Sequence, residues 1–190
     1  MRIAFLTSGG IAPCLSASIG MLIKEYLKSD KTFEFIGYLN GYKGLLKGDK
    51  IEIPYDVDLE ILNTFGGSFL GNSRVKLTNI DDCLKNGYIK SNQIPLQVAA
   101  NQLKRDKIDI LHTIGGDDTN TTAGDLSAFL ASENYKLSVV GLPKTIDNDV
   151  SPIEQTLGAY TAAEQAAIFF CNIVNENTTS SRQLIIHEVM

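Results

Sequence analysis

The sequence is short of cysteine, has no apolar run of membrane length and carries no block of basic residues. Each shortage removes a class of protein. The three cysteines, Cys14, Cys83 and Cys171, are far apart and odd in number, which fits neither a disulfide framework nor a zinc site. All three are read as reduced, with Cys83 and Cys171 as packing residues. No apolar stretch approaches the ~18 residues that a membrane span needs, and the first six residues lead straight into a strand without a signal-peptide cleavage site. The expected location is the cytoplasm. A net charge of -5 without any Lys/Arg-rich run argues against a nucleic-acid or anionic-membrane partner. Internal repeats, low-complexity segments and linkers are also missing.

What is present describes a globular protein: 190 residues, 44% apolar and 21% charged. That length suffices for one domain, or for one domain and part of a second. Residues 2–6 read as a strand, with Thr7-Ser8-Gly9-Gly10 as its turn. A helix over 13–28 follows, because Pro13 suits a first helical turn and Ile19, Leu22, Ile23 and Leu27 share a face. Strand, glycine turn and helix together outline a phosphate cradle, since a helix N-terminus presents unpaired N–H groups and a partial positive charge. A plain tight turn has the same signature.

Strands are expected at 33–39 and 51–53, with residues 40–44 as a turn between them. The glycine-rich stretch 64–74 ends on Arg74 and, taken alone, reads as a flexible surface loop. A helix over 94–107 turns Val98, Ala99 and Leu103 inward and precedes a strand at 108–114. A helix over 121–131, a strand at 137–142, a long helix from 153 to about 175 and a last strand at 183–189 complete the pattern. The chain stops inside that last strand, which reads as truncation. Alternation of strand and helix predicts an α/β fold, a Rossmann-like, mostly parallel sheet with helices on both faces, followed by the start of a second α/β domain.

Two loops hold most of the chemistry. Gly115-Gly116-Asp117-Asp118-Thr119 and Gly141-Leu142-Pro143-Lys144-Thr145-Ile146-Asp147-Asn148-Asp149 each follow a strand, and such folds bind ligands at those strand ends. Four carboxylates, a lysine and glycine-freed backbone N–H groups suit metal-assisted phosphoryl transfer. The loops at 8–13 and 66–74 are expected at the same sheet edge.

These motifs, with Gly41-Tyr42-Lys43-Gly44-Leu45 and Gly66-Gly67-Ser68 through Arg74, occur in the order found in the phosphofructokinase family. The chain resembles the N-terminal part of that family, most closely its pyrophosphate-dependent members. The resemblance implies reversible, Mg²⁺-assisted phosphorylation of fructose 6-phosphate by pyrophosphate, with residues 1–152 binding the donor and 153–190 beginning a truncated fructose 6-phosphate domain. It implies Asp147 as general base, Asp117 as the Mg²⁺ ligand, and Gly10, Arg74 and Thr119 as donor contacts. Thr145, Ile146, Asp147 and Met190 would meet the sugar phosphate, and Asp149 would position Asp147 or the metal. A full-length homo-oligomer is implied, as is an inactive 190-residue fragment.

Two positions would choose the donor. Typical ATP-using relatives have glycine where this chain has Asp118 and Lys144, so the resemblance gives Asp118 the space of a nucleotide's α-phosphate and gives Lys144 the transferring charge. Two like charges ~4 Å apart at an effective dielectric of ~20 repel by roughly 4 kcal/mol, about a thousandfold in affinity. The competing readings are an ATP-dependent enzyme, a non-catalytic regulatory paralogue, and an NAD or lipid kinase sharing a Gly-Gly-Asp loop. Two departures from the family pattern stand out: Pro13-Cys14-Leu15-Ser16 where many relatives have Pro-Gly-hydrophobic-Asn, and Gln183 beside Arg182 where many have arginine at the former position; His187 is read as a packed strand residue and not as a catalyst.

Overall fold

The structure is a computed structural model and describes residues 1–29, 31–179, 181 and 184–188. In chain order its elements are β1 (Arg2–Thr7), α1 (Leu15–Leu27), β2 (Glu34–Tyr38), α2 (Tyr42–Lys47), β3 (Lys50–Ile53), α3 (Leu59–Thr64), α4 (Ile80–Lys85), α5 (Pro95–Arg105), β4 (Ile110–Gly115), α6 (Asp117–Ser132), β5 (Ser138–Thr145), β6 (Leu157–Gly158) and α7 (Ala159–Thr178). β1 is apolar at four successive positions because both its faces are covered, as expected for an inner parallel strand. Ile3 and Phe5 pack with Leu15, Ile19 and Ile23 of α1 on one side. Ala4 and Leu6 belong to a second core with Leu45, Leu103 and Leu126, from α2, α5 and α6.

The six strands run in the order β3-β2-β1-β4-β5-β6. All neighbours are parallel except β2 and β3, which pair antiparallel. The chain builds outward from β1 through β2 to β3, then crosses to β4 on the other flank. β1 and β4 therefore part at a topological switch point, where their following loops diverge and leave a crevice. The mostly parallel sheet with helices on both faces is as the sequence predicts.

Several local expectations change. Residues 40–44 do not form a simple turn, because Tyr42, Leu45 and Leu46 recur at helical spacing and are buried as α2. Gly41 starts that helix at φ 65°, where an added Cβ would stand 2.5 Å from the Thr7 carbonyl oxygen. α3 and α4 were not anticipated; Asp58 caps α3 by accepting from the Glu60 and Ile61 N–H groups, and Asn79 caps α4 through Asp82 N–H. α6 starts at Asp117, four residues before the expected 121, and β5 continues through Pro143 and Lys144 to Thr145.

The C-terminal segment departs furthest. The long helix begins at Ala159 and not at 153, since residues 157–158 pair with β5 as β6. α7 buries none of its residues, so Cys171 is exposed and does not pack, whereas Cys83 is buried. Residues 184–188 form no strand: they pair with no strand among the described residues, and Leu184 and Ile186 are exposed. His187 is not a strand residue but rests against the rings of Phe169 and Phe170, at 5.6 and 5.5 Å. Arg182, Gln183 and Met190 lie outside the described residues. Among the described residues no helix is long and apolar enough to cross a membrane.

Candidate active site

The crevice between β1 and β4 opens into a cleft of about 590 Å³ lined by Ser8, Gly9, Gly10, Arg74, Val75, Lys76, Gly116, Asp117, Asp118 and Thr119. Two of its walls follow the strands directly, residues 8–10 after β1 and 116–119 after β4. Close approach of backbone explains the glycines there. A Cβ on Gly115 would stand 2.4 Å from the Ser8 carbonyl oxygen and 2.5 Å from Thr119 Oγ1, so these two loops meet only because position 115 has no side chain. Asn120 Nδ2 donates to the Gly115 and Gly116 carbonyls at 2.8 and 3.0 Å, fixing the entry to α6.

The third wall comes from the 66–74 loop, which does not follow a strand as expected but leads away from α3. It is bonded onto the β1 loop instead. Gly9 N–H donates to Ser73 O at 2.9 Å, Ser8 Oγ donates to the same oxygen at 2.9 Å, and Asn72 Nδ2 donates to Gly9 O. Further along, buried Ser16 donates from both N–H and Oγ to Gly67 O, at 2.9 and 2.8 Å, and accepts from Phe69 N–H at 3.0 Å. The reading of a free surface loop is thus wrong: a polar α1 residue and the β1 turn hold it by side-chain bonds that no periodicity reveals.

Gly10, Arg74, Asp117, Asp118 and Thr119 all line the cleft. Asp117 and Asp118 occupy the first turn of α6, where carboxylates complement the positive end of the helix dipole. Thr119 is buried, with its hydroxyl against Gly115. Lys144 approaches from β5 and is only 4% exposed, its Nζ donating to Gly10 O at 2.5 Å. Burial pushes the Lys144 ammonium below the usual lysine range, nearby Arg74 adds to that, and Cys14 opposes it. Burial likewise raises the Cys14 thiol, so a reactive thiolate at the head of α1 is not favoured.

Thr145 ends β5 and Ile146, Asp147 and Asp149 follow it; none of these four, nor Lys144, is among the cleft-lining residues. Their loop is internally braced. Asp147 N–H donates to Thr145 Oγ1 at 3.1 Å, and Thr145 Oγ1 reaches Asp147 Oδ2 at 3.4 Å. Asn148 sits at φ 53° and accepts from Thr156 N–H at 2.8 Å, while Thr156 Oγ1 donates to Thr145 O at 2.8 Å. This brace leaves the carboxylates of Asp147 and Asp149 exposed.

A comparison with family models matches residues 2–190 to the phosphofructokinase model. The chain belongs to the phosphofructokinase family. A curated relative named pyrophosphate--fructose 6-phosphate 1-phosphotransferase, from Methylomonas methanica, is 58% identical over 191 aligned residues, covering 100% of this chain and 47% of the relative. A relative named ATP-dependent 6-phosphofructokinase, from Glaesserella parasuis serovar 5, is 32% identical over 100% of this chain and 52% of its own. The crystal structure of Pichia pastoris phosphofructokinase in the T-state matches with a TM-score of 0.75 at 24% identity, covering 96% of this chain and 18% of that one. The chain spans about half the length of the curated relatives it matches.

Within this phosphofructokinase cleft, sequence reasoning missed Lys76. Its Nζ forms an ion pair with Asp118 Oδ2 at 2.8 Å. Residues 74–77 alternate in burial, with Val75 and Leu77 buried and Arg74 and Lys76 more exposed. That period of two was the available signal: whatever places Arg74 in the cleft also places Lys76 there. The pair also changes the expected repulsion at Asp118, whose carboxylate is not a lone charge.

Proposed function

We propose that the protein containing this chain transfers a phosphoryl group reversibly from pyrophosphate to the 1-hydroxyl of fructose 6-phosphate, giving fructose 1,6-bisphosphate. The observation that carries this reading is the switch-point cleft, which brings residues 8–10, Arg74 and the first turn of α6 together around one space. The name of the Methylomonas methanica relative agrees on substrate and donor. Residues 1–152 supply the donor site, with Gly10 N–H, Arg74 and Thr119 as contacts; an arginine fork suits two phosphate oxygens at once. Residues 153–190 begin the sugar-phosphate domain, to which Met190 belongs.

Among the described residues no three metal-ligating side chains gather. Mg²⁺ nevertheless fits, because it is held by one or two carboxylates together with substrate phosphates and water. Asp117, exposed at the cleft, would hold it. When bound, the ion neutralises charge on the donor's oxygens. Asp147 takes the proton of the attacking hydroxyl as general base, and the bracing of its loop through Thr145 supports that role. Asp149 positions Asp147, Thr145 and Ile146 contact the sugar phosphate, and Lys144 steadies charge passing between donor and acceptor.

The full-length protein is read as a cytoplasmic homo-oligomer with no nucleic-acid or membrane partner, and the 190-residue chain as inactive without the other half. The test is a donor comparison on the full-length parent enzyme, with and without Asp118→Gly. Turnover with pyrophosphate and little with ATP is expected, shifted toward ATP by the substitution. A wild type that prefers ATP overturns the reading.

A further inference from the structure

Lys76 and Asp118 come from opposite walls of the cleft, one from the segment leaving the 66–74 loop and the other from the first turn of α6, and they meet at 2.8 Å. Their side chains are 44% and 73% exposed, so the pair contributes little to holding the fold together. Its position is what distinguishes it. The cleft-lining side chains carry two cations, Arg74 and Lys76, against two carboxylates, Asp117 and Asp118. This formal balance of zero becomes +1 if Asp118 is removed, and the released charge is the Lys76 ammonium.

Taking the cleft as the donor site proposed above, we infer that Lys76 and Asp118 act as one specificity element in which Asp118 holds Lys76 away from a longer polyphosphate. A lone carboxylate would exclude a nucleotide by repulsion alone. A paired one excludes it differently, by occupying the cation that a further phosphate would need. Lys76 is thus the conditional partner of the donor: engaged by Asp118 in this chain, available to phosphate when position 118 carries no carboxylate. A lysine suits such a role, since its ammonium is a compact charge on a flexible stem that exchanges one anionic partner for another. Arg74, with no carboxylate ion-pair partner among the described residues, is free for pyrophosphate throughout.

The test is calorimetric titration of the full-length parent enzyme with magnesium pyrophosphate and with magnesium ATP, with thermal melts to confirm that each variant is folded. Wild type is expected to bind pyrophosphate and to bind ATP at least about tenfold more weakly. Asp118→Gly should tighten ATP binding by about tenfold, and adding Lys76→Met should abolish that gain. Lys76→Arg alone, which keeps the ion pair, should keep the wild-type preference. Should Asp118→Gly fray α6 and fail to fold, Asp118→Asn removes the charge at nearly constant size and carries the same expectation. If the double variant binds ATP as tightly as the single Asp118 variant, or if removing the Asp118 charge brings no gain, the inference falls while the donor reading stands. If wild type takes up no pyrophosphate, the donor reading falls first and the inference with it.

Discussion

At the residue scale, two side chains of opposite exposure make the clearest predictions. Asp147, the proposed general base, is exposed on a braced loop. Replacing it by Asn in the full-length enzyme should lower kcat by about 10²–10⁴-fold with little change in KM for fructose 6-phosphate; steady-state kinetics would detect an unchanged kcat, which removes Asp147 as the base. His112 is the reverse case, buried in β4 with Nε2 at 2.8 Å from Tyr26 OH, its ring stacked on Phe5, and Nδ1 without a partner. Burial lowers its pKa from 6.5 to about 4. Between those values the unfolded state binds the proton and the folded state does not, so stability should be full above pH 6.5 and fall as the pH drops toward 4. Melting temperatures across that range should show the slope, and His112→Phe should flatten it.

At the element scale, the site depends on how loops are pinned, and this is where the sequence was least legible. β1, β4 and α1 announced themselves by apolar runs and helical spacing, because burial imposes those patterns. The glycine pair at 115–116 and the carboxylates after it were legible for the same reason, as a close backbone approach at a strand end. Ser16 was not: a single buried serine in an apolar helix face carries no period, yet it holds both Gly67 and Phe69. Lys76 was missed because only the arginine two residues earlier had been weighed. Ser16→Ala leaves Phe69 N–H without its acceptor and should destabilise the chain by about 1–3 kcal/mol. Hydrogen exchange should quicken over residues 66–74 before it quickens in β1. Equal protection in the variant would mean that the loop is held by other contacts.

On the scale of the whole molecule, strand order decides where chemistry can occur. The sheet reverses its direction of growth between β1 and β4, and the cleft opens there. At the far end of the sheet, α7 has no buried residue and Leu184 and Ile186 are exposed, in a chain that spans about half the length of its curated relatives. Sequence patterning gave the last segment a strand's apolar character, but a strand forms only beside a partner. The proposed donor cleft, by contrast, is lined by residues 8–10, 74–76 and 116–119 of this chain, and a structure of the full-length protein crystallised with magnesium pyrophosphate addresses it directly. The account predicts pyrophosphate density between the Gly10 N–H, Arg74 and the first turn of α6, with the metal on Asp117; pyrophosphate bound elsewhere, with that crevice left to water, would contradict it.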